Sequence, residues 1–373
     1  MNIIFYACFI LLGIYTFIIL SFAYGWNNIR FFKPEKEINN IPVTIIVACR
    51  NEETKISYLL KSLLHQDYPT QYLEIIFIDD HSEDDTVQVI KSFPNKNIPI
   101  KLLSLPNHFQ GKKAAIELGV IHATGEIIIT TDADCTMRKQ WVKTMVAYHH
   151  KHKAKIISAP VIFKGNTLFE KLQALEFLSL MGTGAGAIGI KHPIMNNGAN
   201  FLFEKKLFTT SALNKKFASG DDIFLLLQVK KNHKRNIHFI KSNNAVVYTK
   251  PASNLKDFLN QRIRWASKSK GYKDFDVIST ALIISLGNLT LAGSLIYSCF
   301  NYSFFFIYLP LFIIKSFADL MVLIPVSRFT AQQKLLWFFV PLQFVYPFYI
   351  VITAAFGLLG KFRWKSRIYK EKR

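Results

Sequence analysis

The chain has 373 residues, half of them hydrophobic, and 46 Lys and Arg against 25 Asp and Glu give a formal net charge of +21. This length allows one large domain or two small ones, and an apolar excess gathered at the two ends excludes an ordinary soluble enzyme. The charge suits nucleic acid or a membrane surface; no nucleic-acid motif accompanies it, so a basic face against anionic membrane lipids, with part of the charge serving an anionic substrate, is the simpler reading.

Residues 3–24 form an uncharged apolar run, long enough to cross a bilayer as one helix. A cleaved signal would carry a basic residue before the apolar core and a small-x-small site after it. Neither stands out, so a transmembrane anchor over residues 1–25 is expected. Arg30, Lys33 and Lys36 follow it and place the central domain in the cytosol by the positive-inside rule. From residue 41 the pattern alternates between strand and helix. Residues 43–48, 74–78, 100–103 and 126–131 read as strands. Ile56, Leu59, Leu60, Leu63 and Leu64 share one helical face, and residues 86–93 and 112–123 also read as helices. This order predicts an α/β fold with a mostly parallel sheet covered by helices.

In such sheets ligands bind beyond the carboxyl ends of the strands. Three polar clusters fall there: Arg50-Asn51-Glu52-Glu53, Asp79-Asp80-His81-Ser82 and Asp132-Ala133-Asp134. Each alone could merely cap a helix. Together they gather carboxylates that repel one another unless a cation or ligand lies between them. A hard divalent ion with oxygen ligands answers that need. His149, His150 and His152 read as a solvated basic helix end. The Gly/Ala-rich stretch 182–189 lacks the strand–Gly-x-Gly-x-x-Gly–helix context of a dinucleotide site and is expected to be flexible or membrane-facing. Cys8, Cys49, Cys135 and Cys299 show neither zinc spacing nor a disulfide framework.

The last apolar block predicts three spans, 277–299, 303–326 and 335–360, within a transmembrane region 277–360. Lys315 and Asp319 in the middle span are four apart and can pair on one face. The tail 361–373 holds seven basic residues and one acidic one, so it too is expected in the cytosol. Three crossings would leave it outside; one block is therefore expected to be re-entrant or interfacial, or to hide two short passes.

The ordered motifs over roughly residues 41–272 resemble the family-2 glycosyltransferases of GT-A fold, the group that includes cellulose and hyaluronan synthases and ceramide glucosyltransferase. The resemblance implies a cytosolic nucleotide-sugar-binding domain over 41–272. It places Ala48, Arg50, Glu52, Asp79, Asp80 and Lys112 at the donor, and Asp132 and Asp134 on donor and metal, Mg2+ or Mn2+. Asp222 in Ser219-Gly220-Asp221-Asp222 is the catalytic base, with Asp221 the alternative because the usual Glu-Asp pair is here Asp-Asp. Gln261, Arg264 and Trp265 of the Gln-x-x-Arg-Trp motif also belong to the donor site. Gly198, Ala199 and Asn200, with Trp265, belong to the acceptor. The implied reaction is inverting transfer from a nucleoside-diphosphate sugar, usually UDP-linked, to a lipid or glycan hydroxyl. The alternatives are a processive polysaccharide synthase and a non-catalytic membrane scaffold. Abundant Lys, Ile, Asn and Phe fit an AT-rich bacterial genome and hence a bacterial cell (inner) membrane. No segment identifies a protein partner.

Overall fold

The computed structural model describes residues 2–35, 39–94, 98–209, 220–359, 361–364 and 367–370. The chain divides into two compact units: a helical unit from the described residues of Met1–Asn28, Gly165–Ile194 and Ala252–Arg363, and an α/β unit from those of Ile29–Lys164, Met195–Pro251 and Trp364–Arg373.

In the α/β unit, β1 (Val43–Cys49), α2 (Glu53–Leu64), β2 (Leu73–Asp79), α3 (Thr86–Ser92), β3 (Ile100–Ser104), α4 (Lys112–His122) and β4 (Ile127–Asp132) follow the expected alternation. The helix α1 (Asn2–Asn28) precedes them in the chain. The middle strands are nearly continuous apolar runs, and β2 is buried along its whole length. This is what a parallel sheet covered on both faces requires. Fully buried side chains such as Ile45, Ile46 and Phe77 each contribute about 1.5–3 kcal/mol by leaving water. Helix α2 buries Ile56, Leu59, Leu60 and Leu63, the spacing of one helical face. Helix α4 approaches the sheet closely at Gly119, where a Cβ would lie 2.7 Å from Ile46 Cγ2.

The remaining elements of this unit are β5 (Thr136–Met137), α5 (Trp141–His152), β6 (Ile156–Ser158), β7 (Val161–Phe163), β8 (Phe201–Glu204), α7 (Asp221–His233), β9 (Ile237–Phe239) and β10 (Val247–Thr249). The main sheet has the order β3-β2-β1-β4-β8-β6-β9, and a smaller one the order β5-β10-β7. Strands β1 to β4 pair in parallel, whereas β8 runs antiparallel between β4 and β6.

The helical unit holds α1, α6 (Leu168–Gly189), α8 (Leu255–Ser267), α9 (Phe275–Phe300), α10 (Phe305–Phe329) and α11 (Phe339–Leu359). Segments Tyr6–Asn28, Phe275–Phe300, Tyr302–Phe329 and Gln333–Gly357 are long and apolar enough to cross a membrane. Each C-terminal block contains one such helix, so none hides two short passes. The stretch 182–189 is neither loop nor flexible connector; it is the end of α6. Its glycines let α6 touch α1 at backbone distance: a Cβ on Gly186 would lie 2.1 Å from the Phe22 carbonyl oxygen, and one on Gly25 2.1 Å from that of Gly186. Small residues allow such close crossings between membrane helices. Strands β11 (Lys361–Trp364) and β12 (Arg367–Lys370) occupy the C-terminal segment.

This division differs from a single domain over 41–272. Helices α6 and α8 fall inside that range but belong to the helical unit.

Candidate active site

The parallel register brings the three acidic clusters to one rim. Cys49 lies opposite Asp79, and Ala48 opposite Asp132, so β1, β2 and β4 end together. Two of the turns leaving this rim use left-handed backbone at non-glycine residues, Asn51 (φ 51°) and His81 (φ 57°). Such conformations cost energy and gather where a loop is held for function.

The first two clusters hold each other. Arg50 Nη1 donates to the carbonyls of Asp80 and His81, both at 2.7 Å, and Nη2 reaches Glu83 at 2.9 Å. The Arg50 guanidinium therefore braces the 80–83 turn. The Glu52 amide donates to Thr86 Oγ1 at 2.7 Å. Asp79 accepts the Ser82 amide at 3.2 Å. Asp80 accepts the Gly111 amide at 2.9 Å on one oxygen and lies 3.2 Å from His81 Nδ1 on the other. Through that bond Asp80 ties the end of β2 to the start of α4, where Lys112 sits.

Two glycines with positive φ, Gly111 (89°) and Gly220 (95°), stand at the N-caps of α4 and α7. They deliver Lys112, and Asp221 with Asp222, as the first residues of their helices. Lys112 Nζ contacts Asp132 Oδ1 at 2.5 Å. Burial alone would lower the Lys112 pKa; the carboxylates of Asp132, Asp221 and Asp222 outweigh it and hold the ammonium above its ordinary value. Asp222 is fixed by two backbone amides, Gly198 N–H on Oδ2 and Ile223 N–H on Oδ1, both at 2.8 Å. A Cβ on Gly198 would lie 3.3 Å from both Lys112 Nζ and Asp222 Cβ, so only glycine fits without displacing them. The antiparallel strand β8 explains this meeting: it enters beside the end of β4, and Thr130 Oγ1 donates to the Gly198 carbonyl at 2.8 Å. Ser219 lies outside the described residues.

Asp132, Asp134 and Cys135 place ligand atoms within 4.8 Å of one another. The Cys135 thiol is pushed up by burial and then by the carboxylates of Asp134 and Asp132, so it stays protonated at neutral pH. Two carboxylates beside a neutral thiol suit a hard divalent cation, with Asp132 and Asp134 as the oxygen ligands.

Within the α/β unit, the structure does not bring every expected residue to this cluster. Asn200 is fully buried. Its amide oxygen accepts from Trp141 Nε1 at 2.9 Å, and its nitrogen donates to the carbonyls of Pro160 and Ala245, each at 2.8 Å. Its side chain therefore ties α5 to the backbone at Pro160 and Ala245 and faces no open space. Ala199 is buried beside it. Gln261, Arg264 and Trp265 all lie on α8 of the helical unit.

Sequence reasoning passed over several residues. On α8, the buried Arg262 makes a two-point ion pair with Glu176 of α6, at 3.1 and 2.5 Å, and packs over Phe258 and Trp265 at 4.7 and 4.3 Å. It also donates to the Gln261 side-chain oxygen Oε1. Phe258 and Trp265 stand at helical neighbour spacing from it, the one signal available beforehand. In the α/β unit, both amide atoms of Asn196 and Nε2 of His81 are buried without a hydrogen-bond partner among the described residues. Buried polar atoms left unpaired cost about 1–3 kcal/mol each, and in native folds they often await a ligand.

Residues 44–212 match the family model "Glycosyl transferase family 2". The chain carries a family-2 glycosyltransferase domain. It is 26% identical over 288 residues to a probable glycosyltransferase of Bacillus subtilis, YdaM, covering 74% of this chain and 67% of that one. It is 28% identical over 165 residues to the poly-beta-1,6-N-acetyl-D-glucosamine synthase of Staphylococcus epidermidis, covering 41% of this chain and 39% of the synthase. Thus the glycosyltransferase spans about two thirds of the first relative and well under half of the second. The mannosyltransferase PcManGT of Pyrobaculum calidifontis, solved with GDP-Man and Mn2+, matches 95% of this chain and 99% of its own, with TM-score 0.58 and 17% identity. That likeness confirms the GT-A fold. The enzyme assignment sets aside the non-catalytic scaffold.

Proposed function

We propose that the enzyme transfers a sugar, with inversion, from a UDP-sugar to a hydroxyl of a lipid or glycan at the cytosolic face of a bacterial cell membrane. The observation that carries this reading is the meeting of Lys112, Asp132, Asp222 and the Gly198 backbone in one α/β unit. The new bond forms between the acceptor oxygen and the anomeric carbon as the bond from that carbon to the diphosphate breaks. The acceptor proton passes to Asp222, whose carboxylate two backbone amides hold in one orientation. The bond electrons leave with the diphosphate, whose growing charge the Lys112 ammonium faces. When bound by Asp132 and Asp134, Mg2+ or Mn2+ supplies further neutralisation of that charge. Asp79 and the turn braced by Arg50 form the wall for the nucleoside. Asp221, also beside Lys112, is the alternative base. The cytosolic face is supported by Arg30 and Lys33 after α1.

A second reading is processive synthesis of a glycan, favoured by the similarity to the poly-N-acetylglucosamine synthase. Against it stands the interior of the helical unit. Lys315, Asp319, Gln343 and Tyr15 fill it, linked by hydrogen bonds of 2.6–2.8 Å.

Detergent-purified enzyme should release one nucleotide and label a product from a membrane lipid extract only with Mn2+ or Mg2+ present. UDP- and GDP-sugars should be compared, because the mannosyltransferase of the same fold binds GDP-Man. Asp222→Asn should lower kcat about a thousandfold with donor binding retained. Asp134→Asn should abolish the metal response, and Cys135→Ser should keep it. Full activity in Asp222→Asn with loss in Asp221→Asn would move the base to Asp221. Full activity in both would overturn the mechanism, and a ladder of long products would favour the processive reading.

A further inference from the structure

The α/β unit contains a second concavity that glycosyl transfer, as derived above, does not use. A pocket of about 490 Å3 is lined by residues including Lys33, Glu35, Arg138, Gln140, Lys143 and Asn244. None of these belongs to the Lys112–Asp132–Asp222 cluster.

Its charge is unbalanced. Lys33 makes no ion pair among the described residues. Among the described residues the Arg138 guanidinium bonds to the Tyr248 hydroxyl, at 3.3 Å, and Lys143 lies 3.8 Å from the Asp67 carboxylate. Among the described lining residues the one acid, Glu35, is neutralised by Lys151 at 3.1 Å. Three cations that share a cavity repel one another unless an anion lies between them. Donors accompany them. Asn244 donates to Gln140 Oε1 at 2.7 Å, which orients the Gln140 amide and leaves its NH2 as a donor. Gln140 is the N-cap of the 12-residue helix α5, and its side chain makes no capping bond; the positive end of that helix adds to the field.

Three cations with amide donors fit a group with several charged oxygens better than a carboxylate with two. We propose that this pocket binds a phosphate group, carried by an anionic phospholipid headgroup or by a soluble phosphate-bearing molecule. The lipid source is supported by the chain itself, since Lys33 stands five residues after the end of α1.

The test uses the full-length protein in detergent. Native mass spectrometry reads retention of added phosphatidylglycerol against phosphatidylcholine, and thermal unfolding reads the shift caused by inorganic phosphate. Lys33, Arg138 and Lys143 are exposed or half-exposed, so Arg138→Gln/Lys143→Gln and, separately, Lys33→Gln should fold; unfolding without ligand checks this. The native protein should prefer phosphatidylglycerol, and the double variant should bind it roughly tenfold more weakly. Binding should also weaken as salt rises. Preference for phosphatidylglycerol without a phosphate shift assigns the lipid. A phosphate shift lost in the double variant, without lipid preference, assigns the soluble ligand. Equal lipid retention and equal phosphate shifts in native and variant proteins, or no response in either, would overturn the proposal.

Discussion

Asn196 sets stability against function in a single side chain. Both its amide atoms are buried without partners among the described residues, two residues from the Gly198 amide that holds Asp222. Asn196→Ala removes an unsatisfied group, so the melting temperature should hold or rise, while transfer should fall roughly tenfold if the amide meets a substrate hydroxyl. A lower melting temperature with intact transfer would make it a structural residue. Glu74 behaves in the opposite way. Burial would raise its pKa, but Lys101, the Thr124 amide and hydroxyl, and the Thr44 hydroxyl outweigh it and hold the carboxyl below its ordinary value. A group depressed on folding stabilises the fold above its unfolded pKa and loses that contribution as pH falls through the folded one. Glu74→Gln should therefore cost about 2 kcal/mol at neutral pH. The gap to the native protein should close only below the ordinary glutamate range, as chemical denaturation at several pH values would show.

Among the elements, the α1–α6 crossing depends most on residue size. Gly25, Gly186 and Gly189 place the two backbones in contact, and a larger side chain forces them apart. Gly186→Leu should destabilise the helical unit by about 3 kcal/mol or more, read as loss of the monodisperse peak in detergent, whereas a substitution at Gly13, which has open space around it, should be tolerated. Strand β8 matters for another reason. Its antiparallel entry beside β4 puts the Gly198 turn beside Lys112 and Asp222. Reading 201–203 as a strand located the element, but its partner and direction depend on pairing with β4 and β6, residues more than forty positions away.

For the whole molecule, the chain leaves the α/β unit and returns to it through α6, so catalytic and helical sequence are interleaved. A truncation to residues 41–272 would strip α6 and α8 of α1, α10 and α11, leaving Gly182, Gly186 and the Glu176–Arg262 pair without their packing. Such a fragment should aggregate, whereas the full chain in detergent should give one species by size exclusion. A soluble, monodisperse fragment with cooperative unfolding would contradict this division.

Resemblance to a known family offered Lys112 and Asp222 as candidates; the sequence's own patterns determined the alternating α/β order, the four apolar spans and the strand-end carboxylates, Asp132 among them. These are local: period, turn chemistry and spacing are written in consecutive residues. Only the tertiary structure decided that Asn200 ties α5 to the backbone at Pro160 and Ala245 and does not face the Lys112–Asp132–Asp222 cluster, that Arg262 is the buried partner of Glu176, that 182–189 is a helix packed on α1, and that α6 and α8 leave the expected catalytic domain. Each of these depends on which distant residue meets a polar atom or a glycine face. A side chain's role changes when a partner seventy or more positions away in the chain satisfies it, as Glu176 does for Arg262, and no local pattern carries that information.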